Sequence, residues 1–338
     1  MRKVIFLLSG CLLLSSCGGD VPQQREATTT KKQSPLILQN IVLTDTDRQG
    51  KNQLWEIKAK RAEYSRDRSS AVIRDVQAVF FQNGRKVMTV KAPRGEVRTV
   101  AREIFLFNGV NALLTENATT LKASSIQWSP EKDFLECTGP VELDQPKQKI
   151  HAKGKRLEGK LSANIFSLLG DVEATSTSEG IKVNAPRLVW NLTRNLIDGD
   201  QGVVARSEAK QILVTAPLAT WDLGKQQVTA RAENGTPVVA EQKLQDGWMQ
   251  ANQMNWNFSQ QVFEGEGNLQ ARFGKPPQHF TASQATYNLA TSQVQARGAR
   301  YWREGETLSV SSLNMSTDLR NNRIKTSGGV TSRFVPNR

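Results

Sequence analysis

The stretch LKASSIQW, residues 121–128, contains the pattern that decides the fold. It reads as an apolar residue, any residue, alanine, two residues, an apolar residue, any residue and an aromatic one. Three weaker copies run from Val90, from Ile150 and around Val310, which makes nine units spaced by about 28–35 residues. Six strong copies place an aromatic residue at the same phase: Tyr64, Trp128, Trp190, Trp221, Trp256 and Tyr287.

Apolar residues two positions apart predict β-strands, because side chains of a strand alternate between its two faces. The phase slips by one between the alanine and the next apolar residue, and a β-bulge there would turn both halves inward again. Each unit then continues through a second apolar stretch with glycine, such as FLFNGV at residues 105–110. Nine units of two strands predict an all-β fold of about 18 strands.

Small alanines beside large aromatics suit the interior between two facing sheets. If each unit adds a strand to both sheets, the sheets enclose a long, open, apolar-lined trough with two free ends. The residues either line a path for an apolar ligand or pack as ordinary core. Candidates for the lining are the aromatic residues and their inward neighbours: Tyr64, Ile126, Trp128, Leu188, Trp190, Trp221, Met254, Trp256 and Tyr287.

The amino terminus has the pattern of an export signal. Arg2 and Lys3 precede an apolar run at residues 4–14, which is too short to span a bilayer as a helix. The sequence LSSC that ends at Cys17 resembles a lipobox, in which the cysteine is acylated and becomes the first mature residue. An ordinary secretory signal is the alternative. We therefore expect a signal peptide at 1–16 and a lipid-anchored flexible tether at 17–35.

The net charge, the cysteines and the motifs of the sequence limit the functions that the protein can have. The net charge is +13, or +11 without Arg2 and Lys3, which favours anionic partners such as lipid head groups; outside the cytoplasm nucleic acid is not expected. Cys137 is the only cysteine left after Cys11 and Cys17, so no intramolecular disulfide can form. The two histidines are isolated, and motifs for hydrolases, phosphate loops or zinc are absent from the sequence. We expect no enzyme, no cofactor and no metal site.

The segment GKNQLWEIKAKRAEY, residues 50–64, resembles the first motif of the LptC family of lipopolysaccharide-export bridge proteins. The run from Val90 to Val110 resembles the next motif, and later units are similar to the related OstA/LptA jellyroll. The resemblance covers residues 36–175, with generic repeats at 176–338. It implies a V-shaped antiparallel β-jellyroll that carries lipopolysaccharide acyl chains inside.

The resemblance also implies partners at the two sheet edges. The inner-membrane ATP-driven transporter would bind the amino-terminal edge, and the next periplasmic bridge protein the carboxy-terminal edge. The family is usually anchored by a transmembrane helix, whereas here a lipobox implies a lipid anchor in the periplasm, with the inner membrane favoured. Two alternatives stay open: an extracytoplasmic structural or adhesive β-repeat lipoprotein, and an enzyme acting on envelope polysaccharide.

Overall fold

The computed structural model describes residues 36–306, 308–318 and 323–334. The expected signal peptide, Cys17 and the tether therefore lie outside the described residues. Two single-turn 3-10 helices, Pro130–Lys132 and Lys243–Gln245, occur among the 24 strands. Within the described residues, no helix is long and apolar enough to cross a membrane.

All pairings between the described strands are antiparallel, and neighbouring strands are joined mostly by hairpins. This pairing confirms the predicted jellyroll class. It differs from the pairing in a β-solenoid, whose coils stack in parallel. The strands are β1 (Ile37–Thr46), β2 (Gln53–Tyr64), β3 (Ser70–Gln82), β4 (Arg85–Arg98), β5 (Glu103–Leu114), β6 (Thr119–Ser129), β7 (Phe134–Gln145), β8 (Ile150–Lys160), β9 (Ile165–Ser176), β10 (Ile181–Asn191), β11 (Leu196–Asp200), β12 (Val203–Ser207), β13 (Ile212–Ala216), β14 (Leu218–Asp222), β15 (Gln227–Arg231), β16 (Val238–Gln242), β17 (Gly247–Ala251), β18 (Gln253–Asn257), β19 (Val262–Phe273), β20 (Gln278–Asn288), β21 (Gln293–Arg303), β22 (Leu308–Asp318), β23 (Arg323–Ser327) and β24 (Thr331–Phe334).

The 24 strands form 19 rows, because ten short strands join end to end in five pairs. For example, β11 and β12 both pair with β10, on its two halves. We number the rows along the sheet: β1 to β10 are rows 1–10, the pairs β11/β12, β13/β14, β15/β16 and β17/β18 are rows 11–14, β19 to β22 are rows 15–18, and β23/β24 is row 19. The nine predicted units correspond to rows 2–19, and β1 precedes them.

Every row bends near its middle, but even and odd rows bend differently. In even rows the inward phase slips by one after the small residue, as from Ala185 to Leu188, as predicted. The bulge itself lies in the odd row, because row 9 advances three residues, from Leu169 to Val172, while row 10 advances two. Odd rows from row 5 onward cross the bend at a glycine with positive φ, such as Gly109 at 87° and Gly139 at 85°. The repeated glycine therefore has a structural reason, since other residues are strained in that conformation.

The bends divide the sheet into two wings. Wing A contains the first half of each odd row and the second half of each even row, and wing B contains the remaining halves. The rings of Phe80 in wing B and Trp128 in wing A stack with centroids 5.9 Å apart. Since these rings belong to opposite wings, the inner faces of the two wings pack against each other and share one core.

The last unit departs from the predicted alignment. Ser312, and not Val310, occupies the small position beside the bend and is buried, while Leu313 lies outside with 63% exposure. Thr317 then stands where the other units carry the aromatic residue, since it pairs with Val294, the neighbour of Tyr287. The repeat therefore becomes polar toward the carboxy-terminal edge.

Candidate functional site

The nine predicted lining residues all lie on the inner face of wing A. Ile126, Leu188 and Met254 form one line along the wing, and all three are buried. The aromatic residues form a second line nearer the free end of the wing, where the hairpin turns lie. The phase of the repeat alone brings these residues to one face, because the members of each line occupy equivalent inward positions in their rows.

The second line is continuous from strand to strand, and we call it the aromatic line. Each member pairs across the ladder with the next, as Phe166 with Trp190, Trp190 with Ile197, and Ile197 with Trp221. An aromatic residue from the repeat recurs every fourth row from row 2 to row 10 and every second row from row 10 to row 16, where the spacing is about 10 Å along the sheet. The line contains Tyr64, Trp128, Trp190, Trp221, Trp256 and Tyr287 in rows 2, 6, 10, 12, 14 and 16.

The opposite wing contributes a line that the sequence pattern missed. At the last inward position before its hairpin turns, wing B carries polar residues in successive odd rows, and we call this the polar line. Gln145, Ser176 and Ser207 are buried there, in rows 7, 9 and 11, and Gln242 in row 13 is partly buried. Polar residues at strand ends resemble turn residues in sequence, so only their burial identifies them.

The two wings face each other with an offset of three rows. Phe80 in row 3 stacks on Trp128 in row 6, and the Tyr287 hydroxyl in row 16 donates to Gln242 Oε1 in row 13 at 3.3 Å. The same offset places Gln145 opposite Trp190, Ser176 opposite Trp221 and Ser207 opposite Trp256. We call this junction of the aromatic and polar lines the seam.

The interior between the wings is packed. Trp128 is fully buried, and Trp256 stacks on Phe263 with centroids 4.9 Å apart. A cavity lined by residues that include Met249, Phe273 and Tyr287 holds about 30 Å³. That is the volume of a single water, so an acyl chain can enter only if the wings separate.

Charged residues join the hairpin turns of the two wings near the amino-terminal edge. Arg48, in the turn between rows 1 and 2 of wing B, donates two hydrogen bonds to Glu131 in a turn of wing A, at 2.8 and 3.0 Å. Arg102 of wing A donates to the same carboxylate at 3.0 Å and lies 3.5 Å from Asp45 of wing B. We call these four residues the clasp, because they connect the two wings at the mouth of the trough.

Hydrogen bonding within the clasp raises the pKa of Arg48 and lowers that of Glu131. The hydrogen bonds from Arg48 are the largest cause, followed by the bond from Arg102, and they hold the pKa of the Glu131 carboxyl below its ordinary value. A further contact, from Asn164 in wing A to Glu116 in wing B, joins the wings further along the mouth.

The sequence matches the model of a protein family described as lipopolysaccharide-assembly, LptC-related, over residues 3–178. That match covers more than half of the 338 residues. The chain belongs to the LptC-related family. A solved structure similar to it is that of LptH from Pseudomonas aeruginosa, described as the LptA-homologous periplasmic component of the lipopolysaccharide transport device. The two share 14% identity over 38% of this chain and 97% of LptH, with a TM-score of 0.33. No curated protein matches.

The LptC-related sheet ends in two different edges. Row 1 pairs only with row 2 among the described residues, and Ile37, Leu38 and Val42 are exposed on it. At the other edge, row 19 presents Arg323, Lys325 and Arg333, and the expected basic residue Arg320 lies outside the described residues. The amino-terminal edge is therefore apolar and the carboxy-terminal edge basic.

Open grooves also lie on the outer surface of the LptC-related chain. One of about 660 Å³ lies at the bend and is lined by Lys58, Lys60, Lys91 and Asp75 among others. Another, of about 600 Å³, is lined by Val79 and Leu113 among others. No cluster of metal-ligating residues occurs in the described ranges. Cys137 is fully buried, and burial raises the pKa of its thiol, so it packs as a small apolar residue.

Proposed function

We propose that this LptC-related protein is a periplasmic bridge of lipopolysaccharide export, which holds acyl chains between wings A and B. The observation that carries the proposal is the single apolar core that continues through the rows from one sheet edge to the other. A core of this kind offers equivalent apolar surroundings at successive rows, so an amphiphile can move along it without leaving them. Lipopolysaccharide would pass from the inner-membrane ATP-driven transporter toward the outer membrane.

For acyl chains to enter, the apolar contacts between the two wings must be replaced by contacts with the chains. Residues of the two wings, such as Phe80 and Trp128, contact each other through apolar side chains. Acyl chains inserted between them replace these contacts, and each methylene buried contributes about 0.8 kcal/mol. The interior residues of wing A, including Ile126, Leu188 and Met254, would then line the path.

The two sheet edges suit partners that add strands by main-chain hydrogen bonds. The amino-terminal edge, with exposed Ile37 and Val42, would bind the transporter. The carboxy-terminal edge, with Arg323 and Lys325, would bind the next bridge protein. Deletion of residues 307–338 removes rows 18 and 19, and should abolish binding of the downstream bridge while the remaining rows stay folded.

Lipid anchoring at Cys17 would hold the amino-terminal edge near a membrane, with the inner membrane favoured. The tether at 17–35 would connect the anchor to the jellyroll at 36–338, whose first part, 36–175, carries the resemblance to LptC. Mass spectrometry of the mature protein tests this: it should find Cys17 acylated, and Cys17→Ala should leave an unprocessed precursor. An unmodified Cys17 or another mature start would contradict the anchor.

A charge inside the trough tests the acyl path. Ile126 points inward and its neighbour Gln127 does not, so Ile126→Asp and Gln127→Asp form a matched pair. We expect Ile126→Asp to reduce co-purification of lipopolysaccharide and Gln127→Asp to leave it unchanged. An unpaired charge in the core also costs several kcal/mol of stability, so melting is measured alongside. Full lipid binding by a folded Ile126→Asp protein would contradict the proposal.

A further inference from the structure

The seam combines buried hydrogen-bonding groups with an apolar interior. The indole nitrogens of Trp128, Trp190 and Trp256 are buried and have no hydrogen-bond partner among the described residues. The side-chain oxygen of Gln145, opposite Trp190, is also buried without a partner. A buried donor or acceptor without a partner is unfavourable, and native proteins leave few of them.

These unpartnered groups recur where the sequence repeat places them. Trp128, Trp190 and Trp256 occupy the same position in rows 6, 10 and 14, and the strand ladder aligns them along wing A. In row 16, where the aromatic residue is Tyr287, its hydroxyl does bond across the seam to Gln242. At Trp190 and Gln145 the seam therefore keeps a donor on one wing and an acceptor on the other, without the bond that would join them.

We propose that the seam binds the carbonyl-bearing linkage of an acylated lipid, with the indole N–H groups donating to ester or amide carbonyls of the acyl chains. This inference rests on the proposed function. The acyl chains would lie deeper, against Ile126, Leu188 and Met254, which are one inward position closer to the bend. The indoles would mark the depth at which the apolar chains end and the polar linkage begins.

The surroundings of the seam fit a charged head group outside it. A cleft of about 210 Å³ opens at the mouth between the two sets of turns. Lys147 and Lys149 line it from wing B, and Leu223 and Gln226 from wing A, while Glu179 is its one acidic residue. Two lysines beside the seam favour an anionic head group, such as the phosphorylated sugars of lipid A.

Nuclear magnetic resonance of the full chain with 15N-labelled indoles tests the inference. Lipid A is the probe, and an ether analogue whose chains carry neither the ester nor the amide carbonyls is the comparison. Single Trp→Phe substitutions assign each indole signal. Trp248 and Trp302, whose paired neighbours Arg272 and His279 place them on the outer face of wing B, are internal controls.

Lipid A should shift the indole N–H signals of Trp190 and Trp256 downfield. The signals of the controls Trp248 and Trp302 should stay in place. The ether analogue should give smaller shifts of the first two signals. Trp190→Phe should weaken lipid A binding about fivefold, as expected for one lost hydrogen bond, and Trp302→Phe should not. Lipid A that binds without these shifts, or equal shifts with the analogue, overturns the inference and spares the proposed function. Lipid A that does not co-migrate with the wild-type chain overturns both.

Discussion

Arg48 and Glu131 lie 83 residues apart in sequence and form a two-bonded ion pair that joins wing B to wing A. With Arg102 and Asp45 they hold the mouth shut at the end of the trough nearest the amino-terminal edge. If lipid enters at that end, the clasp must open first. Control of entry would then lie in charged side chains that water and ions can reach.

Reversal of one clasp charge should open the mouth. We expect Arg48→Glu to lengthen the distance between spin labels at Gln49 and Val100, which lie in turns of opposite wings, as measured by electron paramagnetic resonance. The free energy of unfolding should change by less than about 1 kcal/mol, because exposed ion pairs contribute little. High salt should lengthen the wild-type distance in the same direction.

Lys155→Glu is the matched control for the clasp. Its ion pair with Asp171 is more exposed than that of Arg48 with Glu131, and it joins neighbouring rows at the bend. The label distance across the mouth should stay unchanged in this variant. Equal effects of Arg48→Glu and Lys155→Glu would show that net charge, and not the clasp, sets the separation.

Acid should open the clasp. The pKa of Glu131 is lowered in the folded protein, chiefly by the hydrogen bonds from Arg48, so the stabilisation is complete above the ordinary value of 4.5 and is lost as the pH falls through the lower folded value. The label distance should therefore increase below pH 4.5. In Glu131→Gln the distance should be long already at neutral pH, and a pH response like that of the wild type would assign the transition to another group.

Contact between the wings can be measured with a double-mutant cycle. Phe80→Leu and Trp128→Leu should show a coupling free energy of about 0.5–1.5 kcal/mol, as expected for stacked aromatic rings. Phe80→Leu with Trp190→Leu is the control, since Trp190 lies four rows further along and the two effects should add. Zero coupling between Phe80 and Trp128 would mean that the wings do not pack there in solution.

The glycines at the bends differ in what surrounds them. Gly109 and Gly139 have almost the same φ, 87° and 85°, but only at Gly139 would a Cβ meet a neighbour, the Ser124 side chain. Alanine at either site should cost about 1–2 kcal/mol for the left-handed backbone. Gly139→Ala should cost more than Gly109→Ala in chemical denaturation, and equal costs would contradict the close approach of rows 6 and 7.

The sequence predicts the strands, the bends and the inner face of wing A, because all three follow from a local period of two residues and a repeated phase. Wing B was harder to predict. Trp55 and Phe80 are buried on its inner face, yet they stand just outside the repeat pattern. Trp55 is two residues before Ile57, and an extension of the alternation by one position would have found it.

The seam and the clasp could not be predicted from local patterns. Both depend on the three-row offset between the wings, which pairs Gln242 with Tyr287 across 45 residues. Nothing in either strand alone encodes that offset, because it arises from how the bent rows stack and pack. The exposed position of Leu313 was missed for a simpler reason: Ser312 and Thr317 replace the alanine and the aromatic residue of the repeat, so the sequence pattern was aligned two residues out of place.

Photocrosslinking during active export tests directly whether acyl chains pass between the two wings. A photoreactive residue replaces Leu188, which faces the interior, or its neighbour Val189, which faces outward in the same strand. We expect a lipopolysaccharide adduct at position 188 that depends on transporter activity, and none at position 189. Equal adducts at both positions, or none at 188 in a folded and exported protein, would contradict an acyl path between the wings.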